Sequence, residues 1–138
     1  MRFVDTNVFV YAVLVPKKAI SGDLKKKKEA ARQIFLRIND GENVTTSTVH
    51  MSEVANILED VAGIRFAVDF LSAVLSKPTI TVETVSAEIY HESVHRALYH
   101  GISINDALAL ILMERHRIGE IYTFDQHFSK VDTRVIQE

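Results

Sequence analysis

The sequence predicts an α/β domain: a central, mostly parallel sheet with helices on both faces. Three observations carry this. Short β-branched strands alternate with helical segments along the whole chain. The helical segments repeat their apolar residues at the α-helical period. One of them, 104–117, is nearly all apolar and needs cover on most of its sides. The 138 residues make one domain, 1–138, with 47% apolar and 25% charged residues, as in ordinary globular chains.

Phe3-Val4 opens the first strand, which ends at Asp5, and residues 7–14 continue as a helix. Residues 16–24 form a loop within the domain. Residues 25–39 place Ala30, Ile34, Phe35 and Ile38 at helical spacing, and Asn39-Asp40-Gly41 stops that helix. Val44-Thr45-Thr46 is a strand. Residues 48–62 align Val54, Ile57, Leu58 and Val61, and Gly63 closes this helix. Residues 64–76 repeat the pattern with Phe66, Phe70, Leu71 and Val74. Thr79 to Val82 is a β-branched strand. Residues 86–99 form a helix with a stripe of Ala87, Val94 and Leu98, and Gly119 ends the apolar helix after it. Glu120 to Thr123 is a strand, and Arg134 to Ile136 suits one more.

Composition removes several function classes. The chain has no cysteine, which excludes disulfide frameworks, thiol nucleophiles and Cys-ligated metals. Its five glycines, at 22, 41, 63, 101 and 119, are too far apart for a dinucleotide fingerprint or a phosphate-cradling loop. No apolar run approaches the roughly 18–20 residues of a membrane span. The N-terminus lacks the apolar core of a signal peptide. The expectation is a cytoplasmic protein with no membrane partner. Net charge is −2, but residues 17–37 hold eight cations against two acids, so that segment is +6 and the rest −8. A solvated helix face explains this, as does a footprint for a phosphate backbone.

Four acids sit where the fold places ligands, beyond the carboxyl ends of the strands. Asp5 follows the first strand and Asp125 a late one. Glu53 lies one turn into the helix after the second strand, flanking its apolar stripe. Asp106 is in the first turn of the buried helix. Each has a plainer use: Asp5 and Asp125 suit helix N-caps, Ser103 and Asp106 a capping box, and Glu53 a solvent-facing shoulder. Convergence argues against four separate plain uses. Two carboxylates 5 Å apart repel by about 3 kcal/mol at an effective dielectric near 20. Six such pairs exceed a domain's whole stability, roughly 5–15 kcal/mol. Protonation or a cation must relieve them. All-oxygen ligation suits Mg²⁺ or Mn²⁺, and the chemistry such an ion supports is phosphodiester hydrolysis.

Four blocks carry a family resemblance: Phe-Val-Asp-Thr-Asn-Val-Phe-Val-Tyr-Ala at 3–12, Ser-Glu-Val-Ala-Asn at 52–56, Ile-Asn-Asp-Ala-Leu at 104–108, and Ile-Tyr-Thr-Phe-Asp-Gln-His-Phe at 121–128. In that order they resemble a PIN domain over essentially the full chain. In size the chain is most similar to VapC-type toxin endoribonucleases. The resemblance implies a three-layer α/β/α sandwich and RNA cleavage dependent on Mg²⁺ or Mn²⁺. It matches Asp5, Glu53, Asp106 and Asp125 to the family's catalytic and metal-binding acids, with Asp5 and Asp106 the most direct ligands. Thr6, Asn7 and Thr123 match polar residues that orient them. It further implies a homodimer and a small antitoxin protein as partners. The mechanism expected from it is in-line attack of activated water, leaving a 5′-phosphate and a 3′-hydroxyl. Two departures stand out: the Lys-rich insertion around 17–28, and Val131-Asp132-Thr133 before the last strand. Lys25, Lys26, Lys27, Lys28, Arg32, Arg115 and Arg117 are candidates for contacts to RNA phosphates.

Two other readings compete. An RNA-processing enzyme of the same fold shares the features above. A PIN-like module that binds RNA without cutting is a further reading, against which the presence of all four acids counts. His91-Glu92-Ser93-Val94-His95 is a literal HExxH, the pattern of zinc proteases. On the helical wheel its histidines flank the apolar stripe and Glu92 turns further toward solvent, as in a plain amphipathic helix.

Overall fold

The computed structural model describes residues 1–14, 21–126, 128 and 134–136. Five strands form one sheet in the order β3-β2-β1-β4-β5, and every adjacent pair is parallel. They are β1 (Arg2–Val4), β2 (Val44–Ser47), β3 (Ile80–Glu83), β4 (Glu120–Tyr122) and β5 (Arg134–Ile136). The helices are α1 (Thr6–Val13), α2 (Gly22–Asn39), α3 (Thr48–Ala62), α4 (Ile64–Leu75), α5 (Ala87–His100) and α6 (Ile104–His116). This is the predicted three-layer sandwich.

Strand alternation builds the two cores. Val4, Val44, Ile80 and Tyr122 join residues of α1–α4 on one face. Phe3 and Ile121, paired in register, join α5 and α6 on the other. Helix α6 is the most enclosed element, with Asp106 through Met113 all buried. The chain moves outward from β1 through β2 to β3, then returns to place β4 on the other side of β1. The strand order therefore reverses between β1 and β4, and a crevice opens at their carboxyl ends.

Several expectations are corrected. The loop expected at 16–24 ends earlier: Ser21 accepts a hydrogen bond from Leu24 N and starts α2 at Gly22. Its remainder lies outside the described residues. On α3, Val54 and Leu58 are buried, but Ile57 and Val61 are exposed. The α5 stripe is misassigned: Leu98 is 85% exposed and Val94 43%, whereas Ser93 and Ala97 are buried. Small residues let α5 approach α6 closely, and the Ser93 hydroxyl is satisfied by Tyr90 O at 2.6 Å. Helix α6 ends before Gly119, because Arg117 itself takes the left-handed cap at φ 56°.

Candidate active site

Asp5 leaves β1 and caps α1. Its N–H donates to Tyr122 O of β4 at 3.0 Å, so the first acid is tied to the strand across the crevice. The carboxylate is buried and twice bonded. Thr6 N donates to Oδ1 at 2.8 Å and the Thr123 hydroxyl donates to Oδ2 at 2.7 Å. Burial raises the Asp5 pKa from the ordinary 3.8 to about 6. The two hydrogen bonds oppose that rise, and the charges of Glu53 and Asp125 add to it.

Thr123 is a hub. While donating to Asp5, its oxygen accepts from Asp125 N at 3.0 Å and from Asn7 Nδ2 at 3.4 Å. Asn7 Oδ1 in turn accepts from Phe124 N at 3.2 Å, pinning the segment after β4 onto α1. Thr6 Oγ1 donates to Glu53 Oε1 at 2.6 Å, which joins α3 to the same crevice. The polar residues Thr6, Asn7 and Thr123 thus all hydrogen-bond within the acidic group.

Asp106 stands at the start of α6, its N–H held by the Ser103 hydroxyl at 3.1 Å. Its pKa rises to about 7, first through burial, then through the charges of Asp5 and Asp125. The side chain of Asp125 adds further to that rise. All four predicted acids therefore interact in one group: Glu53 and Asp125 raise Asp5, and Asp5 and Asp125 raise Asp106.

Among the described residues, no three His, Asp or Glu side chains are disposed to hold a single ion between them. The donor chemistry fits a different kind of site. Mg²⁺ keeps most of its waters and takes only one or two carboxylates directly. Asp5 and Asp106 are buried hard-oxygen donors whose ionised forms an adjacent cation would favour, so they suit an ion held that way, and no closed cage is needed.

The sequence reading missed His50. It is fully buried, its Nδ1 lies 2.6 Å from the Ser47 hydroxyl, and its Nε2 lies 3.9 Å from Asp5 Oδ1. Burial lowers its pKa to about 4, against the opposing pull of Glu53 and the Asn105 backbone. The imidazole is neutral and backs the acids without neutralising them. Its only sequence signal is the i, i+3 spacing from Ser47 and to Glu53, common on any helix.

The predicted RNA-contacting cations divide. Lys28 donates to Tyr11 O at 3.3 Å and to Leu14 O, so it closes the carboxyl end of α1. Lys27 pairs with Asp23, Arg32 with Glu29, and Arg115 with Glu92. Lys25, Lys26 and Arg117 are exposed. In the HExxH segment, His91 and His95 face each other at 3.0 Å on exposed α5. Glu92 turns to Arg115 at 3.4 Å and Arg96 at 3.9 Å, which engages it in ion pairs instead of leaving it as a base.

Comparison with known proteins gives a consistent picture. The family model described as PIN domain matches residues 2–134. VapC20 of Mycobacterium tuberculosis, described as a sarcin-ricin loop cleaving toxin, matches with a TM-score of 0.74 at 24% identity, over 97% of this chain and 99% of that one. A toxin–antitoxin complex from Klebsiella pneumoniae matches at 0.64 and 19%, over 99% and 96%. VapBC2 of Rickettsia felis, bound to a promoter DNA fragment, matches at 0.66 and 16%, over 98% and 96%. These similarities show a shared fold. Comparison with curated protein sequences finds no match.

Proposed function

The chain belongs to the PIN domain family, and from that premise we propose that it is a Mg²⁺- or Mn²⁺-dependent endoribonuclease, the toxin of a toxin–antitoxin pair. The observation that carries this reading is the joining of Asp5, Glu53, Asp106 and Asp125 at the crevice where the strand order reverses. Carboxylates that raise one another's pKa favour uptake of a proton, and a divalent cation is the natural replacement for it.

Asp5 and Asp106 would hold the ion. When bound, it supplies a polarised phosphate and a water of lowered pKa. Thr123 and the Thr6 N–H fix both oxygens of Asp5, so that carboxylate is oriented before substrate arrives. Glu53, fixed by Thr6, and Asp125, fixed through its N–H by Thr123, orient the attacking water. His50 stays neutral and excludes bulk water from beneath Asp5. Lys25 and Lys26 meet backbone phosphates approaching the crevice, so binding weakens as salt rises.

The toxin reading rests on the toxins and toxin–antitoxin complexes that share the fold. It implies a homodimer and a small antitoxin as partners, and a cytoplasmic substrate. No helix among the described residues is long and apolar enough to cross a membrane. The test is cleavage of total RNA by the purified protein with Mn²⁺ and with EDTA. Metal-dependent cuts bearing 5′-phosphates, lost in Asp5→Asn, support the reading. Retained cutting in Asp5→Asn, or RNA binding without any cleavage, overturns it. Growth arrest on induced expression, absent in the same variant, tests the toxin role.

A further inference from the structure

A cavity of about 390 Å³ opens directly beside the acidic group. Glu53 forms part of its wall, and so does Asn105, the chain neighbour of Asp106. Asn56 and Tyr90 add polar and aromatic surface, and Val49 and Val85 add apolar surface. The site's own residues thus continue into a recess between α3, α5 and α6.

We propose that this recess holds one unpaired nucleobase of the RNA strand, next to the phosphate that lies at the carboxylates. The proposal rests on the nuclease reading above and names how that site selects its substrate. Three features of the lining choose the occupant. No Lys or Arg is present among the described lining residues, and Glu53 is, so a phosphate is repelled. Asn56 and Asn105 each offer amide donors and a carbonyl acceptor, the complement of a base edge. Tyr90 donates weakly to Asn105 Oδ1, at 3.4 Å, which leaves the Asn105 amide donors for a ligand. The Tyr90 ring and the two valines give a planar base apolar contact. The volume lies in the range of small-ligand sites and exceeds what one base needs.

The experiment uses a pool of single-stranded RNAs with randomised sequence, cut by the wild-type protein in Mn²⁺ and sequenced at the cleavage ends. The wild type shows a base preference at one position flanking the cut. Asn56→Ala and Tyr90→Ala reduce that preference by roughly five- to a hundredfold, the range of losses when a stacked base loses its platform. Preferences elsewhere, and thermal stability, stay as in the wild type. A companion measurement uses Asp5→Asn and a fluorescent eight-nucleotide RNA with an abasic site at that position. The abasic site weakens binding to Asp5→Asn, and has no effect once Tyr90→Ala is added. Unchanged preferences in both cavity variants, or cutting with no preference at any position, overturn the base site and leave the nuclease standing. If the wild type neither cuts nor binds RNA, the nuclease reading falls and takes this one with it.

Discussion

The Thr123 hydroxyl donates to Asp5 Oδ2 at 2.7 Å although the two residues are 118 positions apart in the chain. The same oxygen accepts the Asp125 N–H at 3.0 Å. One hydroxyl therefore sets the position of two acids.

Replacing that hydroxyl tests its role. Thr123→Val leaves the Asp125 N–H without its acceptor and removes a bond that favours ionised Asp5. RNA cleavage is expected to fall by about 10–100-fold, as when partners of metal-binding groups are lost. The pH midpoint of activity moves upward, and Thr123→Ser restores both. Steady-state cleavage across pH checks this, and a wild-type pH profile in Thr123→Val would falsify it.

Asp106 trades stability for function. Its ionised form is opposed by burial and by the charges of Asp5 and Asp125. In metal-free buffer at pH 8, Asp106→Asn removes the charge and is expected to unfold at a higher temperature than the wild type. The gain is on the order of 1–3 kcal/mol. Cleavage is lost in the same variant. A lower melting temperature without metal contradicts this account.

Between pH 4.5 and 7.5, Asp5 and Asp106 together should make the metal-free protein less stable as pH rises, against an opposing gain from the single buried His50, whose pKa is lowered from 6.5 to about 4. Both acids have folded pKa values above the ordinary 3.8, at about 6 for Asp5 and about 7 for Asp106. The folded state keeps protons that the unfolded chain releases, so their contribution is full below pH 4 and lost on passing through 6 to 7. The loss is on the order of 2–3 kcal/mol for Asp5 alone. Mn²⁺ competes with those protons, so it flattens the slope and shifts the activity midpoint to lower pH as its concentration rises. Urea titrations at pH 4.5 and 7.5, with and without Mn²⁺, measure the difference; equal slopes count against it.

Arg117 occupies a left-handed cap at φ 56°, where a side chain is strained and glycine is not. Arg117→Gly should stabilise the protein by about 0.5–1 kcal/mol. Chemical denaturation shows the gain. RNA affinity of the same variant shows whether the exposed guanidinium meets phosphate: a drop at low salt that vanishes at high salt indicates that it does.

Much of this fold is legible along the chain because short-range physics writes it there. The capping box read at Ser103 and Asp106 is there: the Ser103 hydroxyl accepts from Asp106 N, three positions on, and starts α6. The continuous apolar run of α6 announces an enclosed helix, and it is one. The α5 face was illegible for an equally physical reason. Packing against α6 selected the small Ser93 and Ala97 for close approach and left the larger Val94 and Leu98 in solvent. Hydrophobicity by period ranks those residues the other way.

The linear sequence determined where acids follow strands, because a strand that ends on a charged residue must place it at the sheet's rim. It also determined the alternation that makes the sheet parallel. Only the tertiary structure decided which rims meet. The reversal of strand order beside β1 brings Asp5 and Asp125 within electrostatic reach of each other, α6 brings Asp106 within reach of both, and buried His50 lies 3.9 Å from Asp5. The raised pKa values belong to that meeting, since burial and mutual repulsion act through space and have no counterpart in the order of residues.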